Sequence, residues 1–353
     1  MNDSIFGTVM GPDEAFLAHA EEEPALEPDL PITDPHMHLW HRQPDPAYLV
    51  PDFARDAAAS GHAIAGTVFV ECNAMYRVAG PDHLRSVGET EFAAGQAAMA
   101  DSGAYGVRDV AARIVAFADL RLGDRLHEVL DAHAVAANGR FCGIRQRAKW
   151  DADPRVKGAW SEDAPHLYLD PDFEAGLRAL VSRDLSFDAS IYHPQLPDVV
   201  EMARRTPDAR IVLIHSGSPV GHSSYRGREE ENYAAWLEGM TDLAACPNVT
   251  VKMGGILMNV ANFDFTQAPR PPTSRELADL WRPWIEPCIE LFGAERCMAS
   301  SNFPVDKRGF PYRTVWNMFK HITAGCSSEE KTMIYSGTAR RVYGLPEGGP
   351  AAS

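Results

Sequence analysis

Nowhere does this chain of 353 residues run about 18 apolar side chains together, the length a helix needs to cross a bilayer. Its start, MNDSIFGTVMGPDEAFLAHAEEEPALEPDLP, lacks both a basic leading patch and a sustained apolar stretch. No secretory signal is read there, and a cytoplasmic protein is expected. Cysteine is scarce: Cys72, Cys142, Cys246, Cys288, Cys297 and Cys326 are scattered without a CxxC pair. That spacing excludes a disulfide-stapled scaffold and predicts reduced thiols, none of them placed as a nucleophile. Positive charge is also in short supply, with 33 Lys and Arg against 49 Asp and Glu, a formal net charge of −16. Such a field repels phosphate backbones and anionic membrane surfaces, so neither nucleic acid nor membrane is expected as a partner. A small-molecule substrate is expected instead, and an anionic one has to be met by arginines gathered in a pocket. Aromatic residues make up 9% of the chain; Trp281, Trp284, Trp316 and Phe319 fall at helical spacing and read as core.

What is there is enough apolar material, 45% of residues, to bury a sizeable core. From residue 32 onward, short β-branched or apolar runs alternate with longer amphipathic ones, the pattern of βα units. Eight strands are predicted, at 32–38, 63–71, 113–120, 141–146, 185–192, 210–215, 248–255 and 296–301. Between them lie stretches such as GDRLHEVLDAHAVAAN, LPDVVEMARR and SRELADLWRPWIEPCIELFG, with apolar residues three and four apart. Eight strands alternating with helices imply an α/β fold, a single (β/α)8 barrel over residues 31–346. It is preceded by an acidic, proline-punctuated arm over 1–30 and followed by a short tail from 347 to 353. Two connections, from about 72 to 112 and about 147 to 184, are long enough to read as functional loops or lids.

In such a barrel the chemistry sits at the C-terminal ends of the strands. The predicted ends carry His36 and His38, Glu71, Arg145 followed by Arg147 and Lys149, Tyr192 and His193, His215, and Asn302 followed by Asp306; Lys252 lies mid-strand. Residues two apart on a strand share a face, so His36 and His38 point the same way. That pair suits one metal ion, or else two histidines that structure the barrel mouth. Glu71 suits a metal ligand, a base, or an ion-pair partner for Lys252 or Arg145. Arginine forks suit a carboxylate or a developing oxyanion. The loop GHSSYRG brings His222, Tyr225 and Arg226, and its flanking glycines suggest mobility.

Taken in order, DPHMHLW, GIRQ, SFDASIYHPQL, RIVLIHSGSP, NVTVKMGG and RCMASSNFPVD resemble the successive strand-end motifs of the amidohydrolase superfamily. Within it they are similar to the amidohydrolase-2 group of sugar-lactone and 2-pyrone-4,6-dicarboxylate lactonases. The resemblance runs from about residue 31 to about 344. It implies a TIM barrel in which His36, His38, His215 and a strand-eight aspartate surround the reacting carbon, with hydrolysis as the commonest chemistry. It also implies that His36, His38 and His215, with Glu71 as a further ligand, hold a divalent ion, zinc first; a metal-free reaction stays open.

One departure stands out. The family usually reads Ser-Asp-Trp-Pro where this chain has SNFP, so Asn302 takes the place of the expected base, and an amide accepts no proton at neutral pH. The base has then moved to Glu71 or Asp306, or a metal-bound water acts without it, or the step needs none; Asn302 as a plain loop cap is the alternative. Catalytic roles are expected for His36, His38, Glu71, Arg145, His215, Asn302 and Asp306. Substrate contacts are expected from Arg147, Lys149, Tyr192, His193, His222 and Tyr225. The resemblance leads to an expected hydrolase of a small lactone, of a sugar acid or an aromatic-catabolism acid. A metal-dependent decarboxylase or C–C hydrolase, and a barrel that only binds ligand, are the rivals. Homo-oligomerisation stays open.

Overall fold

The computed structural model of the protein describes residues 11–42, 46–156, 164–255 and 268–345. Eight strands form one parallel sheet in the order β1 to β8: Ile32–Met37, Ile64–Val70, Arg113–Ala116, Phe141–Arg147, Ser186–Ser190, Arg210–Leu213, Val249–Lys252 and Cys297–Met298. Each falls inside a predicted strand or within one residue of it. Helices alternate with them: α1 Glu14–Leu17, α2 Val50–Ser60, α3 Val87–Asp101, α4 Arg125–Ala136, α5 Pro171–Val181, α6 Leu196–Arg205, α7 Glu229–Ala244, α8 Ser274–Phe292, α9 Tyr312–Ile322, α10 Ser328–Thr332 and α11 Thr338–Tyr343. The expected (β/α)8 barrel is what forms. Its seam closes beyond the short β8, where Asn302 N–H donates to His36 O at 2.9 Å and His38 N–H to Phe303 O at 2.7 Å. The seam therefore runs through the predicted site.

The strands are buried on both faces, which is why they read as apolar runs. Outward side chains such as Phe69, Ile114, Ile144 and Phe187 join the helices in one large core that includes Trp281, Trp316 and Phe319. A second apolar cluster, with Val68, Val70, Val115, Val212 and Met298, meets Ala339, Val342, Tyr343 and Leu345. Helix α11 thus plugs the barrel on the side away from the strand ends. Among the described residues no helix is long and apolar enough to cross a membrane.

One expectation is corrected in part: the connection after β2, predicted as a long loop, carries the 15-residue α3 in its second half. Its buried residues are mostly small, and it contains Gly88 and Gly95, so no apolar stripe marks it in sequence. Residues before β1 lie along α9. Asn317 accepts from Leu26 N–H and donates to Pro24 O, each at 2.9 Å, and Lys320 donates to Leu26 O and Glu27 O at 2.7 Å.

Candidate active site

β1 delivers His36 and His38 to the mouth, and a buried carboxylate fixes them. Asp34 accepts from His36 N–H at 3.2 Å, from Ser301 N–H at 3.1 Å, from the Ser301 hydroxyl at 2.5 Å and from Tyr312 OH at 2.9 Å. The end of β1 and the turn after β8 are thereby tied to one group. His38 Nδ1–H donates to Val70 O at 2.7 Å, which leaves the Nε2 lone pair facing Asn302 Oδ1 at 3.3 Å. Asn302 has φ 57 and donates its Nδ2–H to Asp306 Oδ1 at 3.0 Å. Asp306 is buried behind the amide.

His215 follows β6 in a run of left-handed residues: His215 φ 56, Ser216 48, Gly217 75 and Ser218 47. Three non-glycine residues in that region store strain, and here it turns the imidazole inward. Its Nδ1–H donates to Gly254 O at 2.8 Å. Gly255 (φ +76) leaves room for the ring, since a Cβ there would lie 2.0 Å from His215 Nδ1. The three rings meet: His36 lies 5.0 Å from His38 and 4.6 Å from His215, centroid to centroid.

β4 supplies a row of cations. Arg145 Nε donates to Glu71 Oε1 at 2.7 Å and its Nη2 to Glu71 O, while Nη1 approaches His36 Nε2 at 3.4 Å. Arg147 donates to Glu71 Oε2 at 3.1 Å and to Asn73 Oδ1 at 2.6 Å. Lys149, two residues on and partly buried, holds its ammonium 5.2 Å from the Tyr192 ring centroid, and no carboxylate among the described residues pairs with it in a salt bridge. One carboxylate thus serves two guanidiniums. Glu71 is committed to the arginines, and it is Asp188 that pairs with Lys252, at 2.6 Å.

Burial and these cations set the protonation. Burial, with the Arg145 charge, pushes His38 down to about 3. Burial with the Lys252 charge holds His36 well below its ordinary value, and burial with the Lys149 charge does the same for His215. All three imidazoles are neutral at physiological pH. Burial and the two arginines push Lys149 to about 7.

The remaining expected contacts pack on one another and on the segment after β4. His193 Nδ1 accepts from Val220 N–H at 3.1 Å and its ring meets Tyr225 at 5.4 Å. Tyr225 OH donates to Asp151 Oδ2 at 2.6 Å, and Ser224 N–H to Asp153 Oδ2 at 3.2 Å. The loop expected to be mobile is therefore tethered to the segment after β4. Tyr192 OH donates to Val156 O at 3.2 Å, and His222 is buried against Ser223. Sequence reasoning missed Asp34 and Asp188; the signal for both was a lone carboxylate inside an otherwise buried strand.

The chain matches the amidohydrolase family over residues 33–345. It belongs to that family. Protein y4mH of Sinorhizobium fredii is 32% identical over 327 residues, covering 89% of this chain and 99% of that one. An L-fucono-1,5-lactonase of Burkholderia multivorans is 27% identical over 237 residues, 67% of this chain and 72% of its own. A zinc-bound amidohydrolase crystal structure from Burkholderia multivorans superposes with a TM-score of 0.68 at 24% identity, covering 89% of this chain and 99% of that one. This chain is accordingly an amidohydrolase-type hydrolase.

Zinc in that structure raises the question of a metal here. Among the described residues of this amidohydrolase, no three His, Cys, Asp or Glu side chains form a metal-ligand group. Glu71 is turned onto the arginines, and the Arg145 guanidinium lies beside His36 Nε2, where an ion would need a lone pair and no competing cation. The expected set of His36, His38, His215 and Glu71 does not fit a divalent ion as arranged.

Proposed function

We propose that this amidohydrolase opens a small lactone that bears a carboxylate, by attack of water on the ring carbonyl. The observation that carries the reading is the cluster of three buried neutral imidazoles with Arg145 against His36, Arg145 and Arg147 sharing the one carboxylate of Glu71. A neutral imidazole accepts the proton of the attacking water. Arg145, whose Nη1 reaches His36 Nε2, faces the developing oxyanion. Lys149 and Arg147 receive the substrate carboxylate, against the sign of the molecule's net charge. When the tetrahedral intermediate collapses, the ring C–O bond breaks and the ring oxygen takes up a proton, giving a hydroxy acid. The likeness to an L-fucono-1,5-lactonase supports the lactone bond as the target.

The test is a pH-stat assay on paired lactones, with and without a carboxylate, alongside aromatic acids monitored for carbon dioxide. Faster turnover of the carboxylated lactone, unchanged after chelation, is the expected result. Carbon dioxide release without lactone opening, or activity abolished by chelator and restored by zinc, would overturn it.

A further inference from the structure

The replacement of the expected aspartate by Asn302 leaves an unusual contact. His38 gives its Nδ1 proton to Val70 O, so its neutral ring has only a lone pair at Nε2. Facing that lone pair at 3.3 Å is the amide oxygen of Asn302, also an acceptor. Two acceptors side by side with no proton between them repel unless a donor is present. Asp306 enforces the arrangement, because its Oδ1 takes the Asn302 Nδ2–H at 3.0 Å and so keeps the amide oxygen turned to His38. Asp306 is 1% exposed, and its Oδ2 finds no hydrogen-bond partner among the described residues. It has no route to substrate except through the amide. The groups around His38 are Arg145 and Glu71 from β4 and β2, and the imidazoles of His36 and His215.

We propose that Asn302 Oδ1 and His38 Nε2 together seat the attacking water, one O–H given to each, and that Asp306 is the positioning residue that keeps the amide oxygen facing it. The proposal rests on the lactonase reading for its chemistry. The water oxygen forms the bond to the lactone carbonyl carbon while one of its protons moves to His38 Nε2. The ring C–O bond then breaks, and the leaving oxygen takes a proton, so that the products are one hydroxy acid and the neutral imidazole. The amide orients the nucleophile and the imidazole removes the proton, two tasks that one carboxylate would otherwise combine.

Four variants and one structure test this. Asn302→Leu removes one acceptor, and kcat is expected to fall about 100-fold with KM little changed. Asn302→Asp restores an acceptor and should keep kcat within about threefold of wild type. Asp306→Asn lets the Asn302 amide turn either face to the water, lowering kcat about tenfold, as loss of an orienting partner does. Hydroxylamine, a stronger nucleophile that needs no base, should restore turnover in Asn302→Leu and Asp306→Asn as hydroxamate, while leaving an Arg147→Ala variant, damaged in substrate binding, unrescued. Equal loss in KM and kcat without rescue would overturn the proposal. A crystal structure of the wild type should hold a water within hydrogen-bonding distance of both atoms. A metal ion there, or no bound species, would overturn the seat even if lactones are hydrolysed. The water present in an enzyme that opens no lactone would instead defeat the functional reading alone.

Discussion

At the scale of single residues, Arg145 changes meaning once its partners are visible. From sequence it reads as a fork for a carboxylate or a developing oxyanion. It is in fact 4% exposed and bound to Glu71, which is wholly buried. Removing one partner of a buried pair leaves a charge without compensation. Arg145→Met is therefore expected to lower unfolding free energy by about 3 kcal/mol in urea melts, as well as activity; unchanged stability would show that Arg147 suffices for Glu71. Lys149 gives the pH prediction. Its amine titrates near 7, so the charge that attracts a substrate carboxylate is present below pH 7 and lost above it. For a carboxylated lactone kcat/KM should fall on the alkaline side with an apparent pKa near 7, a limb that Lys149→Met lacks. A flat wild-type profile across that range would exclude the role. The histidines were legible because period-two spacing and strand ends are written in the sequence. Asp34 and Asp188 were not, since their partners Tyr312 and Tyr343 lie 278 and 155 residues away.

At the scale of elements, strands and their order were legible because a strand buried on both faces has to be apolar and bounded by turns. α3 was not, because small residues pack closely without leaving an apolar stripe. Turns carry the finer design, as in the meeting of the β6 and β7 ends. Gly255→Ala places a methyl group against the His215 ring and forces a left-handed alanine. The backbone term alone costs about 1–2 kcal/mol, and the ring has to move as well. Activity is expected to drop more steeply than thermal stability, because the imidazole is displaced before the barrel opens; melting curves and kcat measured on one preparation check the order. A variant with wild-type kcat would mean that His215 has no part in the chemistry.

At the scale of the whole molecule, two distant parts of the chain complete the barrel. Residues before β1 are stitched to α9, and α11 plugs the far end, where Tyr343 OH donates to the Asp188 carboxylate that holds Lys252. Tyr343→Phe removes that donor from a buried ion pair, and a loss of about 1–2 kcal/mol is expected in denaturant melts. No effect would show that Lys252 alone satisfies Asp188. The plug also has a consequence for synthesis. A ribosome releases residues in order, and early segments fold as they emerge. The inner apolar side chains of β2, β3, β6 and β8 nevertheless wait for Ala339, Val342 and Tyr343 to cover them. Until the segment through residue 345 is free to pack, these side chains lack the cover they have in the finished barrel.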